Sequence, residues 1–209
     1  ARERGEVQQL APRQVGQLLQ QAATNFPAIA QAGSIGSSVQ GRSLWSLRLS
    51  DNVGVNEAEP EVRLAGTIHG NELPAQEMLL LLVDFLTVNY GVDPVVTSIV
   101  DNTDLTIIPC LNPDGLVAGT RQNANGYDLN RNFPVPDGSI GDDGTWAEQA
   151  ETVAFKSHAA GRHFAVSQMG HTGTLVVNYP WDYTYDLTPD DAAIQLLSLE
   201  YSSANLPMY

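Results

Sequence analysis

Apolar side chains recur along this chain with a helical period in some stretches and a period of two in others. Residues 7–32 carry the first helical pattern, with Val15, Leu18 and Leu19 at near-helical spacing until Pro27 interrupts the run. The glycine- and serine-rich stretch 33–38 predicts a loop, and 39–50 then alternates around Trp45 like a strand or a hairpin arm. After a polar, turn-rich stretch over 51–60, residues 62–68 read as a strand that runs directly into His69-Gly70-Asn71-Glu72. Pro74 suits a first helical position, and 76–90 is a strongly apolar helix closed by Gly91, with a second helix expected after Pro94. A β-rich buried strand over 105–110 gives way to Asn112-Pro113-Asp114-Gly115, a turn by composition. Residues 118–145 are rich in Gly, Asn and Asp, too long and polar for a mere connection. A helix (148–161), a strand (164–169) and a helix (190–203) follow. Strands alternating with helices predict an α/β layered domain without internal repeats.

Length and charge narrow the function classes. The 209 residues are enough for one sizeable domain and few for two. Lys+Arg 10 against Asp+Glu 24 leaves a net charge of −14, with Lys156 the single lysine. So acidic a surface repels phosphate backbones and anionic membranes, which argues against a nucleic-acid partner. It suits cationic substrates, and equally plain solubility. One cysteine, Cys110, excludes an intrachain disulfide framework and any Cys-rich zinc module. The longest apolar run, 78–83, is too short to span a bilayer. A start at Ala1 instead of Met leads us to expect a processed or truncated product.

The candidate chemistry begins at the strand ends. His69 and Glu72 stand three apart just past a predicted strand, where open α/β folds place their sites. An imidazole and a carboxylate there are two ligands for Zn²⁺, and His₂Glu is an established catalytic set. His171, also at a strand end and 99 residues beyond Glu72, is the best third ligand. His158 and His163 flank a helix end and read as structural. Arg121 and Arg131 lie in the Gly/Asn-rich stretch of an acid-rich chain. Their planar forks fit a carboxylate or a developing oxyanion, or simply pair with some of the acids. Asp128 could orient a ligand histidine.

Taken together, His69-Gly70-Asn71-Glu72, Asn112-Pro113-Asp114-Gly115, the stretch Asn123-Ala124-Asn125-Gly126-Tyr127-Asp128-Leu129-Asn130-Arg131-Asn132-Phe133-Pro134, and His171 ahead of Tyr179-Pro180 resemble the zinc metallocarboxypeptidases. The likeness is closer to the regulatory carboxypeptidase D/N/E branch than to pancreatic carboxypeptidase A, and it runs from about residue 39 to the last. It implies a three-layer α/β/α fold around a central mixed, twisted β-sheet, with the C-terminal part of that fold lacking. Residues 1–38, a helical segment and loop, would belong to the same domain, and 39–209 would be its N-terminal portion.

The same resemblance implies one Zn²⁺ per chain, held by His69, Glu72 and His171, with Asp128 buttressing His69. Asn130 and Arg131 would grip the free C-terminal carboxylate of a peptide, Arg121 would polarise the scissile carbonyl, and Asp182 would select Lys or Arg as the departing residue. The implied activity is release of C-terminal amino acids from peptides or proteins, and the branch suggests an exported location, secreted or periplasmic. Three features depart from the pattern. No glutamate after His171 matches the family's general base, Glu200 in a helical run being a poor candidate. The final strands of the sheet would also be missing, and Gln168-Met169-Gly170 and Thr172 around His171 differ from the usual residues. Residues 1–209 alone are therefore expected to be inactive, with the catalytic acid supplied by a downstream segment or a separate C-terminal chain. Two other readings stay open: a related zinc amidohydrolase, and a non-catalytic module binding zinc or C-termini.

Overall fold

Alternate residues on neighbouring strands set the layers of this protein. The structure, a computed structural model, describes residues 10–181 and 183–205. Strand β2 (Ser43–Leu49) turns Trp45, Leu47 and Leu49 to one face and Leu44 to the other. Strand β4 (Asp104–Ile108) likewise separates Leu105 and Ile107 from Ile108. With β1 (Ala30–Ser37), β3 (Glu61–Gly66) and β5 (Phe164–Gly170) they form a five-stranded sheet in the order β1-β2-β4-β3-β5. The first two pairings are antiparallel and the last two parallel, so the sheet is mixed.

Helices α1 (Pro12–Asn25), α2 (Pro74–Asn89) and α3 (Pro94–Asp101) cover one face. Val15, Leu19, Leu80, Val83, Leu86, Val96 and Val100 pack there with Leu47, Leu49, Leu105 and Ile107. Helix α4 (Pro113–Ala118) follows β4, and α5 (Ala150–Ala160) covers the opposite face. There Ala154 and Phe155 meet Leu44, Ala65, Ile68, Ile108, Leu111 and Leu129. The arrangement is α/β, as expected. Beneath α5, Arg63 is buried with its guanidinium 3.7 Å from the Phe155 ring centre, donating to Ser167 Oγ and the Phe155 carbonyl. Burial pushes its pKa down to about 10. Residues up to His171 form one compact unit and those from Thr172 a second. The second unit contains α6 (Asp191–Ser203), none of whose residues is buried.

Three local expectations change. The first helix ends at Asn25, ahead of Pro27, and residues 7–9 lie outside the described residues. The stretch 33–38 is mostly strand rather than loop, because β1 pairs with β2 from Ala30↔Leu49 to Ser37↔Ser43. Its small residues serve packing: a Cβ on Gly36 would lie 2.6 Å from that of Ala154 on α5. Asn112-Pro113-Asp114-Gly115 starts a helix, not merely a turn. Asn112 caps α4 by accepting from the Gly115 N–H at 2.9 Å, with Pro113 at the first position.

Candidate metal centre

Strands β3, β4 and β5 are mutually parallel, so their carboxyl ends share one edge of the sheet. Such an edge is where open α/β sheets gather side chains. Gly66 at the end of β3 is in register with Gly170 at the end of β5. The histidine that follows each strand is thereby brought close despite the sequence distance, and the His69 and His171 ring centres are 4.9 Å apart. Past β3 the chain turns tightly, with the Glu72 N–H donating to the His69 carbonyl at 3.1 Å, which folds Glu72 back beside His69. Gly70 is required by this turn: a Cβ there would lie 2.0 Å from the Gly115 carbonyl carbon.

Glu72 sits between the two imidazoles. Its Oε1 is 2.8 Å from His69 Nδ1 and its Oε2 is 3.1 Å from His171 Nδ1. His69 is buried, 1% exposed, and its Nε2 lies 3.0 Å from Asp128 Oδ1. A carboxylate accepting at Nε2 would hold the ring proton there whenever Nδ1 serves as a metal ligand. The second Asp128 oxygen accepts from Arg121 Nε at 2.9 Å, and Arg121 Nη1 donates to Glu72 Oε1 at 3.3 Å. Burial alone would push the Asp128 carboxyl up. Hydrogen bonds from Arg121, His69 and the Asn130 N–H outweigh that and hold it below its ordinary value.

The donor set fits Zn²⁺. His69, Glu72 and His171 each present a ligand atom, all within 4.8 Å of one another, and two imidazole nitrogens with one carboxylate leave a coordination position open. Five of the residues singled out from sequence thus meet: His69, Glu72, His171, Asp128 and Arg121. Asn130 reaches the group only through its backbone N–H, 2.9 Å from Asp128 Oδ1. Arg131 is half exposed, with Nε 3.7 Å from Asp142 Oδ1 and Nη1 donating to the Asn130 carbonyl. Asp182 lies outside the described residues. His158 and His163 sit by the amino end of β5, the end opposite His171. His158 packs on Phe164, with its pKa lowered by burial and by the charges of Arg63 and Arg162.

Sequence reasoning missed the residues that hold the long polar stretch in place. Asn123, buried, accepts from the Asn125 and Tyr127 N–H groups and donates to Gln149 and Glu151. Asn132, fully buried, donates to the Ala147 carbonyl and accepts from the Gln149 N–H. These two residues anchor either side of the 3-10 turn Leu129–Arg131 to the start of α5, and Asp128 lies between them. Their visible signal was only a density of asparagine in a stretch too long for a connection.

A mixed α/β sheet thus carries a His₂Glu cluster at the carboxyl ends of its parallel strands. Residues 15–209 match the family model described as zinc carboxypeptidase. The chain belongs to the zinc carboxypeptidase family, whose cofactor is Zn²⁺. It is 42% identical to carboxypeptidase D of Anas platyrhynchos over 207 residues, covering 91% of this chain and 15% of that protein. It is 35% identical to carboxypeptidase M of Mus musculus, covering 90% of this chain and 46% of the relative. The chain therefore spans less than half the length of these relatives. Among solved structures it resembles thrombin activatable fibrinolysis inhibitor, with TM-score 0.84, 21% identity, 95% of this chain and 56% of that one. It also resembles carboxypeptidase A from Helicoverpa armigera, with TM-score 0.80, 22% identity, 93% of this chain and 53% of the other. These structural likenesses bear on the fold. No single helix among the described residues is long and apolar enough to cross a membrane.

Proposed function

We propose that this chain carries the metal centre and the carboxylate-binding segment of an exported exopeptidase that releases C-terminal residues, with Lys or Arg favoured. The observation that carries the proposal is the convergence of His69, Glu72 and His171 within 4.8 Å at the ends of adjacent parallel strands. In this reading they hold one zinc per chain. When bound, the metal supplies Lewis-acid polarisation of a carbonyl and of water. Asp128 fixes the His69 tautomer and ring orientation. Arg121, 40% exposed and anchored through Nε to Asp128 and through Nη1 to Glu72, offers Nη2 to the oxygen on which negative charge develops. Arg131 and Asn130, exposed on the adjoining turn, receive the terminal carboxylate, and Asp182 pairs with a basic departing side chain.

Proton transfer to the departing amine needs a further group, typically contributing about 10²–10⁴-fold in rate. Glu72 and Asp128 are both engaged with imidazoles and Arg121, which supports the view that this proton donor is neither of them. The test uses zinc-loaded protein and a short peptide ending in arginine, as the free acid and as the amide. The free acid should bind at least ten-fold more tightly, and Arg131→Ala should remove the difference. Equal binding of acid and amide would refute the exopeptidase reading. The engaged state of both carboxylates also favours a second reading, a module that binds zinc and C-termini without turnover. Release of arginine by a preparation verified by mass to hold residues 1–209 would exclude it, and would also overturn the expectation that these residues alone are inactive.

A further inference from the structure

One side chain holds the turn that presents His69 in an unfavourable backbone shape. Thr67 is β-branched, fully buried and has φ 52°, in the left-handed region. A non-glycine residue there is strained and persists only where its surroundings over-determine it. Besides the Thr67 hydroxyl, which donates to the Glu72 carbonyl at 3.4 Å, Asn112 supplies that constraint. Its backbone N–H donates to the Thr67 carbonyl at 2.9 Å, and its Nδ2 donates to the Ile68 carbonyl at 3.1 Å and the Arg121 carbonyl at 3.2 Å. Its Oδ1 accepts from the Gly115 N–H at 2.9 Å, and the residue is 0% exposed. The Arg121 carbonyl also accepts from the Gly70 N–H at 3.3 Å. The residues on both sides of His69 are thus tied into one network, Ile68 directly to Asn112 and Gly70 through Arg121.

We propose that Asn112 is a positioning residue for the metal centre. It aims His69 at Glu72 and sets the backbone of Arg121, whose guanidinium meets Asp128 and Glu72. The proposal rests on the reading of His69, Glu72 and His171 as zinc ligands. Capping α4 needs only Oδ1, whereas aiming the His69 turn needs both Nδ2 hydrogens, so the two roles separate by substitution. Asn112→Ser keeps an oxygen suited to the cap but reaches neither carbonyl.

The experiment measures zinc affinity by chelator competition, and the visible spectrum of the Co²⁺-substituted protein, in wild type and Asn112→Ser. The variant should bind zinc about 10–100-fold more weakly, as residues that orient a ligand typically do when lost, with an altered Co²⁺ spectrum. Wild-type affinity and spectrum in the variant would overturn the proposal and leave the ligand reading intact. A wild-type chain that binds no zinc would overturn both. Should Asn112→Ser not fold, hydrogen exchange of the Asn112 side-chain amide in the wild-type chain decides. Coupling between two sites is reciprocal, so zinc loading should slow that exchange several-fold, and equal rates with and without zinc would overturn the proposal.

Discussion

Among the described residues, two groups of three ligand-type side chains come together, and they share little beyond their number. His69, Glu72 and His171 gather at the carboxyl ends of β3 and β5; Asp51, Glu57 and Glu59 gather in the polar stretch ahead of β3. The second group is carboxylate only. Asn52 Nδ2 donates to Asp51 and Glu57, and the Glu59 carboxyl is pushed up by burial and then by the charges of Asp51 and Glu57. In the first group, nitrogen and oxygen donors face one another and other residues orient them. Asp128 takes Nε2 of His69, Arg121 bridges Asp128 and Glu72, and Gly70 lets the backbone of α4 close in. Proximity of acids alone produces mutual repulsion. A zinc centre of the His₂Glu type needs mixed donors held by surrounding residues that fix tautomer and angle.

The largest expected effect follows from this contrast. Wild-type protein dialysed against zinc should retain about one zinc per chain by elemental analysis, and His69→Ala should retain none. Glu57→Gln, in the other group, should leave the stoichiometry unchanged. Stoichiometric zinc in His69→Ala, or its loss in Glu57→Gln, would reverse the assignment. A smaller loss should come from the residue behind the ligand. Asp128→Ala leaves all three donors in place but frees the His69 ring and its tautomer. Zinc affinity measured by chelator competition should fall about 10–100-fold, without loss of the bound stoichiometry at saturation. Unchanged affinity would mean that packing alone orients His69.

How much of this could be read in advance depends on the kind of signal each residue leaves. His69, Glu72 and His171 were legible because strand ends are visible as apolar runs that stop, and parallel register then brings such ends together. Arg121 was legible as one of two arginines in the Gly/Asn-rich stretch of an acid-rich chain, and Asp128 as a carboxylate close by that could orient a histidine. Asn112, Asn123 and Asn132 were not, because an asparagine in a turn or in a Gly/Asn-rich stretch looks the same whether it faces solvent or joins three segments. The difference lies in burial, which depends on α5 and β3 packing over residues far away in sequence. The stretch 33–38 was misread for a related reason. Its glycines and serines weaken a local strand signal, while the ladder to β2 and the close approach of α5 decide the outcome. Local sequence records chemistry and periodicity well, and records partnership poorly.

The smallest expected effect concerns the carboxylate group and its pH dependence. Burial and the charges of Asp51 and Glu57 hold the folded-state pKa of Glu59 above the ordinary glutamate value of 4.5. Between 4.5 and the raised value, the folded chain binds more protons than the unfolded one. Stability therefore falls as pH rises through that window, and the deficit is complete above it. Glu59→Gln removes the charge while keeping the shape, so it should raise the melting temperature at pH 7 by on the order of 1 °C. Near pH 4, where Glu59 is already mostly protonated in the folded state, the variant and the wild type should melt together. Partial exposure of the residue and screening by salt keep the effect small, and it should shrink further in high salt. Melting curves of the two proteins at pH 4 and pH 7, with and without added salt, provide the check. A stabilisation as large at pH 4 as at pH 7 would show that Gln acts through packing, and that mutual repulsion does not set the stability of this second group.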